Sequence, residues 1–217
     1  MKRKLGALDR VRITVGARKL FARERVDNRT RSEAVFLYFG GLSFRKVAIY
    51  FGTFTAEAVR YWWNRMSILF DYVGGPHQVV VADETRIPFG EKSLGEAHIL
   101  WVALDAETLQ VVNLKFARYQ YNLDCRDFLS ETWHKSLPNR PIIIHDLGPW
   151  YAIQAEKLGL PHHHVRGGVR SLIEMWNRHL KHRMDRFWRA FPANARPEQI
   201  SRWTRSYTAI WNLSRGW

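Results

Sequence analysis

The chain has 217 residues, of which 46% are hydrophobic and 14% aromatic, so it can bury a core and is not a disordered polymer. We expect no membrane span, because no apolar run is long enough to cross a bilayer. We also expect no signal peptide, because no apolar segment follows the basic start of the chain. The single cysteine excludes an intramolecular disulfide, and the net charge of +14 favours a polyanionic partner, nucleic acid first of all.

The basic charge is concentrated at the two ends of the sequence. Residues 1–70 carry 15 Lys and Arg against 5 Asp and Glu, residues 71–164 carry 8 against 12, and residues 165–217 carry 11 against 3. An acidic middle between basic ends suits a protein that binds phosphates at its edges and metal ions at its centre. The alternative is a solvated surface with an uneven charge pattern.

The first part of the chain predicts a basic arm followed by a small helical domain. Residues 1–30 are Arg-rich and weakly periodic, and we interpret them as a flexible or loosely helical arm. Residues 31–70 predict three short helices, with Ser43 and Thr55 as N-caps and Gly52 ending the second helix. Their expected core includes Val47, Tyr50, Val59 and Trp62.

Short helices joined by a tight glycine turn are typical of a helix-turn-helix. The third predicted helix, residues 55–66, would then present Arg60, Trp63, Asn64 and Arg65 to a DNA groove and backbone. An ordinary small helical subdomain is the alternative interpretation.

Residues 71–77, with Gly74-Gly75-Pro76, indicate a linker, and residues 78–217 predict one α/β catalytic domain. Its elements in order are strands at 78–83, 98–104 and 109–116, a helix at 124–137, a strand at 141–145 and a helix at 150–158. Two amphipathic helices follow, at 169–191 and 197–213. This order predicts a mixed sheet with helices packed on it.

Three carboxylates stand out by position. Asp83 closes the apolar run QVVVA, Asp146 follows the apolar run PIIIH, and Glu174 lies on the predicted long helix. Such acids are costly to bury unless they are paired or bound to metal. On the helix, Glu174 lies about 120° from the centre of the apolar stripe, at about 100° per residue.

The chemistry of these three acids points to divalent cations. Three converging carboxylates can share Mg²⁺ or Mn²⁺, and two such ions can activate a water or a hydroxyl group in phosphoryl transfer. On the Glu174 side of the helix lie the cations Arg170, Arg178 and Lys181, which suit phosphate contacts. For Glu174 alone, a surface ion pair is the simpler interpretation.

The pattern strand–Asp, strand–Asp, helix–Glu behind a helix-turn-helix resembles the DDE transposases of insertion sequences, particularly the short archaeal members of insertion sequence family six. The resemblance covers about residues 31–213. It is carried by the segments RSEAVFLYFGGLSFRKVAIYFG (31–52), VVVADETRI (79–87), ILWVALDAETLQVV (99–112), IIIHDLGPWY (142–151), LGLPHHHV (158–165) and VRSLIEMWNRHLKHRMDRFWRAFP (169–192).

The resemblance implies an RNase H-like catalytic domain with Asp83, Asp146 and Glu174 as catalytic residues and metal ligands, two Mg²⁺ or Mn²⁺ ions per site, and a homodimer on terminal inverted repeats of double-stranded DNA. It also implies a cytoplasmic, nucleoid-associated protein of a prokaryote. The expected DNA contacts are Arg45, Lys46, Arg60, Asn64, Arg65, Arg170, Arg178 and Lys181.

Other candidates are weaker. In a strand only His162 and His164 of the triple histidine could share an ion, and no acid or cysteine nearby completes a zinc site. Cys125 lacks a basic activator and is expected to pack in the core, as are Trp176, Trp188, Trp203 and Trp211 at helical spacing. Two other functions stay open: a domesticated, non-catalytic DNA-binding protein on a transposase fold, and an RNase H-like structure-specific nuclease.

Overall fold

The chain divides into two compact units in the computed structural model, which describes residues 5–21, 25–71, 74–88, 97–185, 191 and 195–215. One unit comprises Met1–Tyr72 together with Ser201–Trp217, and the other comprises Val73–Ile200. The described residues form eight helices and five strands, so the protein is mixed α/β. Within these ranges no helix is both long and apolar enough to cross a membrane.

The first unit is a helical bundle built from the two ends of the chain. Its helices are α1 (Ala7–Ala17), α2 (Asn28–Phe39), α3 (Phe44–Phe51), α4 (Ala56–Phe70) and most of α8 (Pro197–Arg215). The side chains of Ser43 and Thr55 accept hydrogen bonds from the backbone of the first turns of α3 and α4, as predicted for N-caps. Gly52 ends α3 with φ of 69°, a left-handed conformation that favours glycine.

The bundle corrects three sequence-based predictions. Residues 7–17 of the expected arm are a packed helix, with Val11 and Val15 fully buried. Tyr50, expected in the core, is 72% exposed because it lies on the outer face of α3. The last helix, predicted to belong to the catalytic domain, joins the N-terminal unit instead: the indole nitrogen of Trp203 donates to the hydroxyl of Tyr38 at 3.0 Å.

The second unit is built on a five-stranded mixed sheet of order β3-β2-β1-β4-β5. The strands are β1 (Val79–Pro88), β2 (Ala97–Asp105), β3 (Val111–Ala117), β4 (Ile142–His145) and β5 (His162–His164). The first three form an antiparallel meander, whereas β4 runs parallel to β1 and β5 runs parallel to β4. The predicted mixed sheet is therefore confirmed.

Helices cover both faces of this sheet. On one face, α5 (Asn122–Lys135) and α6 (Pro149–Leu158) pack on a core that includes Ala82, Trp101 and Tyr151. Because side chains alternate along a strand, the odd-numbered residues of β1 point to the other face. There α7 (Arg170–Asp185) packs against β1 and β2 and buries Ile173, Trp176, Leu180 and Met184.

The tryptophan prediction is confirmed wherever the structure describes the residue. Trp176 and Trp211 are buried, and Trp203 is buried among aromatic rings of the helical unit. Trp188 and the predicted end of the long helix at residues 186–190 lie outside the described residues.

Candidate active site

The site begins where β1 and β4 separate. The two strands pair only over Val79–Val81 and Ile142–Ile144, with an offset of 63 residues, and the same offset separates Asp83 from Asp146. Strand β4 ends at His145, whereas β1 continues to Pro88 beside β2. The sequence predicted a strand that ends at Asp83, but Asp83 lies within β1, just beyond the stretch that pairs with β4. In α/β sheets, ligands bind in such crevices at the carboxyl ends of strands.

Asp83 is the most buried of the three predicted acids. It is 8% exposed and lies on the face of β1 that carries α7, where the side-chain nitrogen of Asn177 donates to its Oδ2 at 3.1 Å. Burial, together with the negative charges of Glu84 and Asp146, raises the pKa of Asp83 to about 7, although the positive charge of Arg170 opposes the change. A carboxylate in such surroundings favours a proton or another cation.

Asp146 is fixed by the turn that follows β4. Its Oδ1 accepts a hydrogen bond from the backbone nitrogen of Gly148 at 2.8 Å. A Cβ atom on Gly148 would lie 2.9 Å from that same oxygen and 2.9 Å from the indole nitrogen of Trp150, so only glycine fits this close turn.

Arg170 connects the remaining acids. Its Nη2 lies 3.4 Å from Oε1 of Glu174 and 3.9 Å from Oδ2 of Asp146. Glu174 is half-exposed, one turn further along α7. The structure thus brings all three predicted acids into one electrostatic neighbourhood: Asp146 and Glu174 share a cation, and both Arg170 and Asp146 influence the pKa of Asp83.

An open cleft of about 470 Å³ runs beside these acids. Asp83 and Glu174 line it, and so do Arg170, Arg178 and Lys181, the cations placed on the Glu174 side of the helix from the sequence. Asp146 does not line the cleft, but it forms an ion pair with Arg170, which does. The cleft therefore combines acids suited to metal ions with cations suited to phosphate groups.

Across the part of the chain that the structure describes, no three His, Cys, Asp or Glu side chains already converge as a metal-binding group. A guanidinium group lies between Asp146 and Glu174 instead. The predicted contact of Arg170 with DNA thus competes with an internal ion pair.

Two residues of the cleft were missed from the sequence. Glu84 accepts hydrogen bonds from the hydroxyl of Tyr151 at 2.8 Å and from the side chain of Gln120 at 2.9 Å, and burial raises its pKa. Asn177 is the partner of Asp83. Its position three residues after Glu174 was a usable signal, because residues three apart share one face of a helix.

The predicted DNA contacts of the helical unit differ in exposure. Arg45 and Lys46 are exposed on α3, and Arg60 is exposed on α4, where it pairs with Glu57. Asn64 is partly exposed on the same helix. All four side chains are therefore accessible to solvent, and their contact with DNA stays a prediction.

Two other residues of α4 do not fit that role. Arg65 donates to the backbone oxygen of Leu20 at 3.0 Å, which ties its head group to the bundle. Trp63 is fully buried against Tyr38 and Trp203, so its predicted contact with a groove is wrong. Instead Tyr61, 60% exposed, shares the outer face of α4 with Arg60 and Asn64.

One histidine of β5, His162, contacts a residue beside the site. Nε2 of the buried His145 lies 3.1 Å from Nδ1 of His162, and burial lowers the pKa of His145. Cys125 is buried, and burial raises its pKa to about 12, so the thiol packs in the core as predicted and is not a nucleophile.

Comparison with known proteins gives relatives without a described function. No family model matches the chain. An uncharacterized protein of Methanocaldococcus jannaschii is 29% identical over 199 residues, which cover 90% of this chain and 91% of that protein. An uncharacterized protein of Aquifex aeolicus is 36% identical over 59 residues, which cover 27% of this chain and 49% of that protein.

Among solved structures, the simian T-cell lymphotropic virus intasome, in complex with a PP2A regulatory subunit, is similar at a TM-score of 0.41 and 17% identity. The match covers 63% of this chain and 48% of the matched chain. This overlap is too loose to establish a shared fold.

Proposed function

We propose that the protein is a DNA transposase of the DDE type, which cuts and joins DNA strands by metal-dependent phosphoryl transfer. One observation carries the proposal: Asp83 and Asp146 each lie two residues beyond the paired stretch of β1 and β4, and Arg170 links Asp146 to Glu174 beside a cleft lined by further cations. The mixed sheet with helices on both faces agrees with the RNase H-like domain that we propose for Val73–Ile200.

The chemistry of the side chains fits a divalent cation. Asp83, Asp146 and Glu174 offer hard carboxylate oxygens, which Mg²⁺ and Mn²⁺ prefer. Burial beside two other acids raises the pKa of Asp83, so a bound cation would stabilise its ionised form. Asp83, Asp146 and Glu174 would hold the ions, which when bound would supply an activated oxygen nucleophile and stabilise the leaving oxygen.

Other residues of the site would orient the carboxylates and bind the DNA phosphates. Gly148 holds one oxygen of Asp146, and Asn177 holds one oxygen of Asp83, so both carboxylates are preorganised. Lys181 and Arg178 line the cleft beside Glu174 and would contact the phosphates of the DNA strand.

We also propose that the helical unit recognises the ends of the DNA element. Its helices α3 and α4, joined by the turn at Gly52, support a helix-turn-helix that reads DNA with the exposed face of α4. Assembly as a homodimer on paired ends, in a prokaryotic cytoplasm, belongs to the same proposal.

A non-catalytic DNA-binding protein is the second candidate, and one observation favours it. Arg170 lies between Asp146 and Glu174, and no group of three metal-binding side chains is preformed in the described ranges. A fixed internal cation of this kind would neutralise the acids without any catalysis.

Incubation of the purified protein with duplex DNA from the flanks of its own gene separates the two candidates. A transposase cuts or joins strands in Mg²⁺ but not in EDTA, and Asp83→Asn, Asp146→Asn and Glu174→Gln each abolish the reaction while DNA binding persists. The control is Asp127→Asn, an exposed acid paired with Lys115 on the other side of the sheet. Binding without any strand cleavage in Mg²⁺ or Mn²⁺ would favour the second candidate.

A further inference from the structure

Asn177 carries the one side-chain amide among the described residues that line the cleft with Asp83 and Glu174. It is 7% exposed, and it lies three residues after Glu174 on the same side of the helix. A buried amide beside a buried carboxylate is unusual unless both ends of the amide are used.

The two ends of this amide have different surroundings. Nδ2 donates to Oδ2 of Asp83 at 3.1 Å, whereas Oδ1 is buried without a hydrogen-bond partner among the described residues. When Asp83 is ionised, turning the amide over would place its carbonyl oxygen against the carboxylate and lose the hydrogen bond, so the observed orientation is the favourable one. The atom without a hydrogen-bond partner is therefore the acceptor Oδ1, and burying an unpaired acceptor destabilises the folded protein.

The surroundings of this oxygen indicate what it lacks. Asp83, the partner of this amide, lies close to two further acids, Glu84 and Asp146, so acceptor oxygens are concentrated around Asp83. The cationic side chains that line the same cleft, Arg170, Arg178 and Lys181, make no hydrogen bond to the Asn177 carbonyl. A neutral carbonyl oxygen is a hard ligand that adds no further repulsion between carboxylates.

We infer that Asn177 is a fourth residue of the cation site: its Nδ2 orients Asp83, and its Oδ1 is a ligand of the divalent cation that Asp83 binds. This inference rests on the proposed function, because it assumes that Asp83 binds such a cation. It assigns to Asn177 a role that the acidic residues alone do not supply, namely an uncharged ligand on the wall of the cleft opposite β1.

The test is Mn²⁺ binding, measured by electron paramagnetic resonance and calorimetry without DNA at a pH above about 8, where Asp83 is ionised. Asn177→Leu has a similar volume and removes both functions of the amide, so it should weaken Mn²⁺ binding by about 10-fold or more. Asn177→Asp keeps an oxygen and loses the donor, so it should bind Mn²⁺ at least as tightly as the wild type. Asn122→Leu, on the exposed start of α5, is the control and should change nothing.

Each result has a defined meaning. If Asn177→Asp loses as much affinity as Asn177→Leu, the amide acts only as a donor to Asp83 and the ligand role is refuted. If Asn177→Leu binds like the wild type while Asp83→Asn does not bind, the inference fails and the proposed cation site survives. If Asp83→Asn binds Mn²⁺ like the wild type, the proposed function itself fails. Asn177→Ser, which leaves the small space open, serves as a second variant if Asn177→Leu melts early.

Discussion

Replacing Asp83 with asparagine should stabilise the metal-free protein, and the gain should grow with pH. The pKa of Asp83 is about 7 in the folded protein and 3.8 in the reference state. Between these values the folded protein binds a proton that the unfolded chain has released, so the free energy of unfolding falls as the pH rises through this window. Asparagine has no proton to lose and resembles the protonated acid.

The size of the effect follows from the pKa difference. One pKa unit corresponds to about 1.36 kcal/mol, so a change from 3.8 to about 7 costs the wild type on the order of 4 kcal/mol once the pH is above 7. Glu84, whose pKa is also raised by burial, adds a cost in the same direction to both proteins. The advantage of Asp83→Asn should therefore be small near pH 4 and level off above pH 7.

Urea unfolding in EDTA, followed from pH 4.5 to 8 for the wild type and Asp83→Asn, measures this difference directly. Asp127→Asn is the control, because its exposed carboxylate should give curves parallel to those of the wild type. Adding Mg²⁺ at pH 8 should stabilise the wild type and leave Asp83→Asn unchanged. A stability difference between wild type and Asp83→Asn that stays constant with pH would refute the burial argument.

Three other predictions follow from the packing and charge of the two units. Trp176→Ala should destabilise the second unit by about 3–5 kcal/mol in thermal or urea unfolding, because the indole is fully buried on the face of α7 that packs against the sheet. A loss below about 1 kcal/mol would mean that the helix faces another way. Arg178→Ala and Lys181→Ala should each lower the salt slope of DNA binding by about one unit and change stability by less than about 0.5 kcal/mol, and an early melt without a change of slope would contradict the phosphate role. A fragment of residues 73–200 should unfold cooperatively. A fragment of residues 73–217 should aggregate, because it exposes the apolar face of α8 without the N-terminal helices. If light scattering shows that the two fragments are equally soluble, the grouping of α8 with the N-terminal helices is contradicted.

The positions of the three acids could be predicted because each depends on local sequence. Asp83 and Asp146 follow short apolar runs that can only be buried strands, and Glu174 lies on a helix whose apolar stripe fixes its face. The sequence could not show that β1 continues to Pro88, because that stretch is held by its pairing with β2 and has little apolar character of its own. The opening beside Asp83 exists because β1 is longer than β4.

The element against which a helix packs was harder to predict from the sequence than the face that the helix buries. The apolar stripe of α8 shows that one side is buried, but it does not show against what, and the answer is the helices at the other end of the chain. Arg65 was predicted to contact DNA from its charge and helix position alone, whereas its head group is used by the backbone of Leu20. The hydrophobic pattern predicts which side of an element is buried, whereas tertiary packing determines which element covers that side.

We propose that Asp83, Asp146 and Glu174, from three separate elements, hold a divalent cation beside DNA. Ferrous iron bound in place of Mg²⁺, with ascorbate and peroxide, generates radicals that cut the polypeptide near the ion, and the cut positions can be read by mass spectrometry. We expect cuts close to residues 83, 146 and 174, which excess Mg²⁺ suppresses and which are lost in Asp83→Asn but not in Asp127→Asn. Cuts confined to other segments, such as the histidines of β5, or cuts that persist in Asp83→Asn, would contradict it.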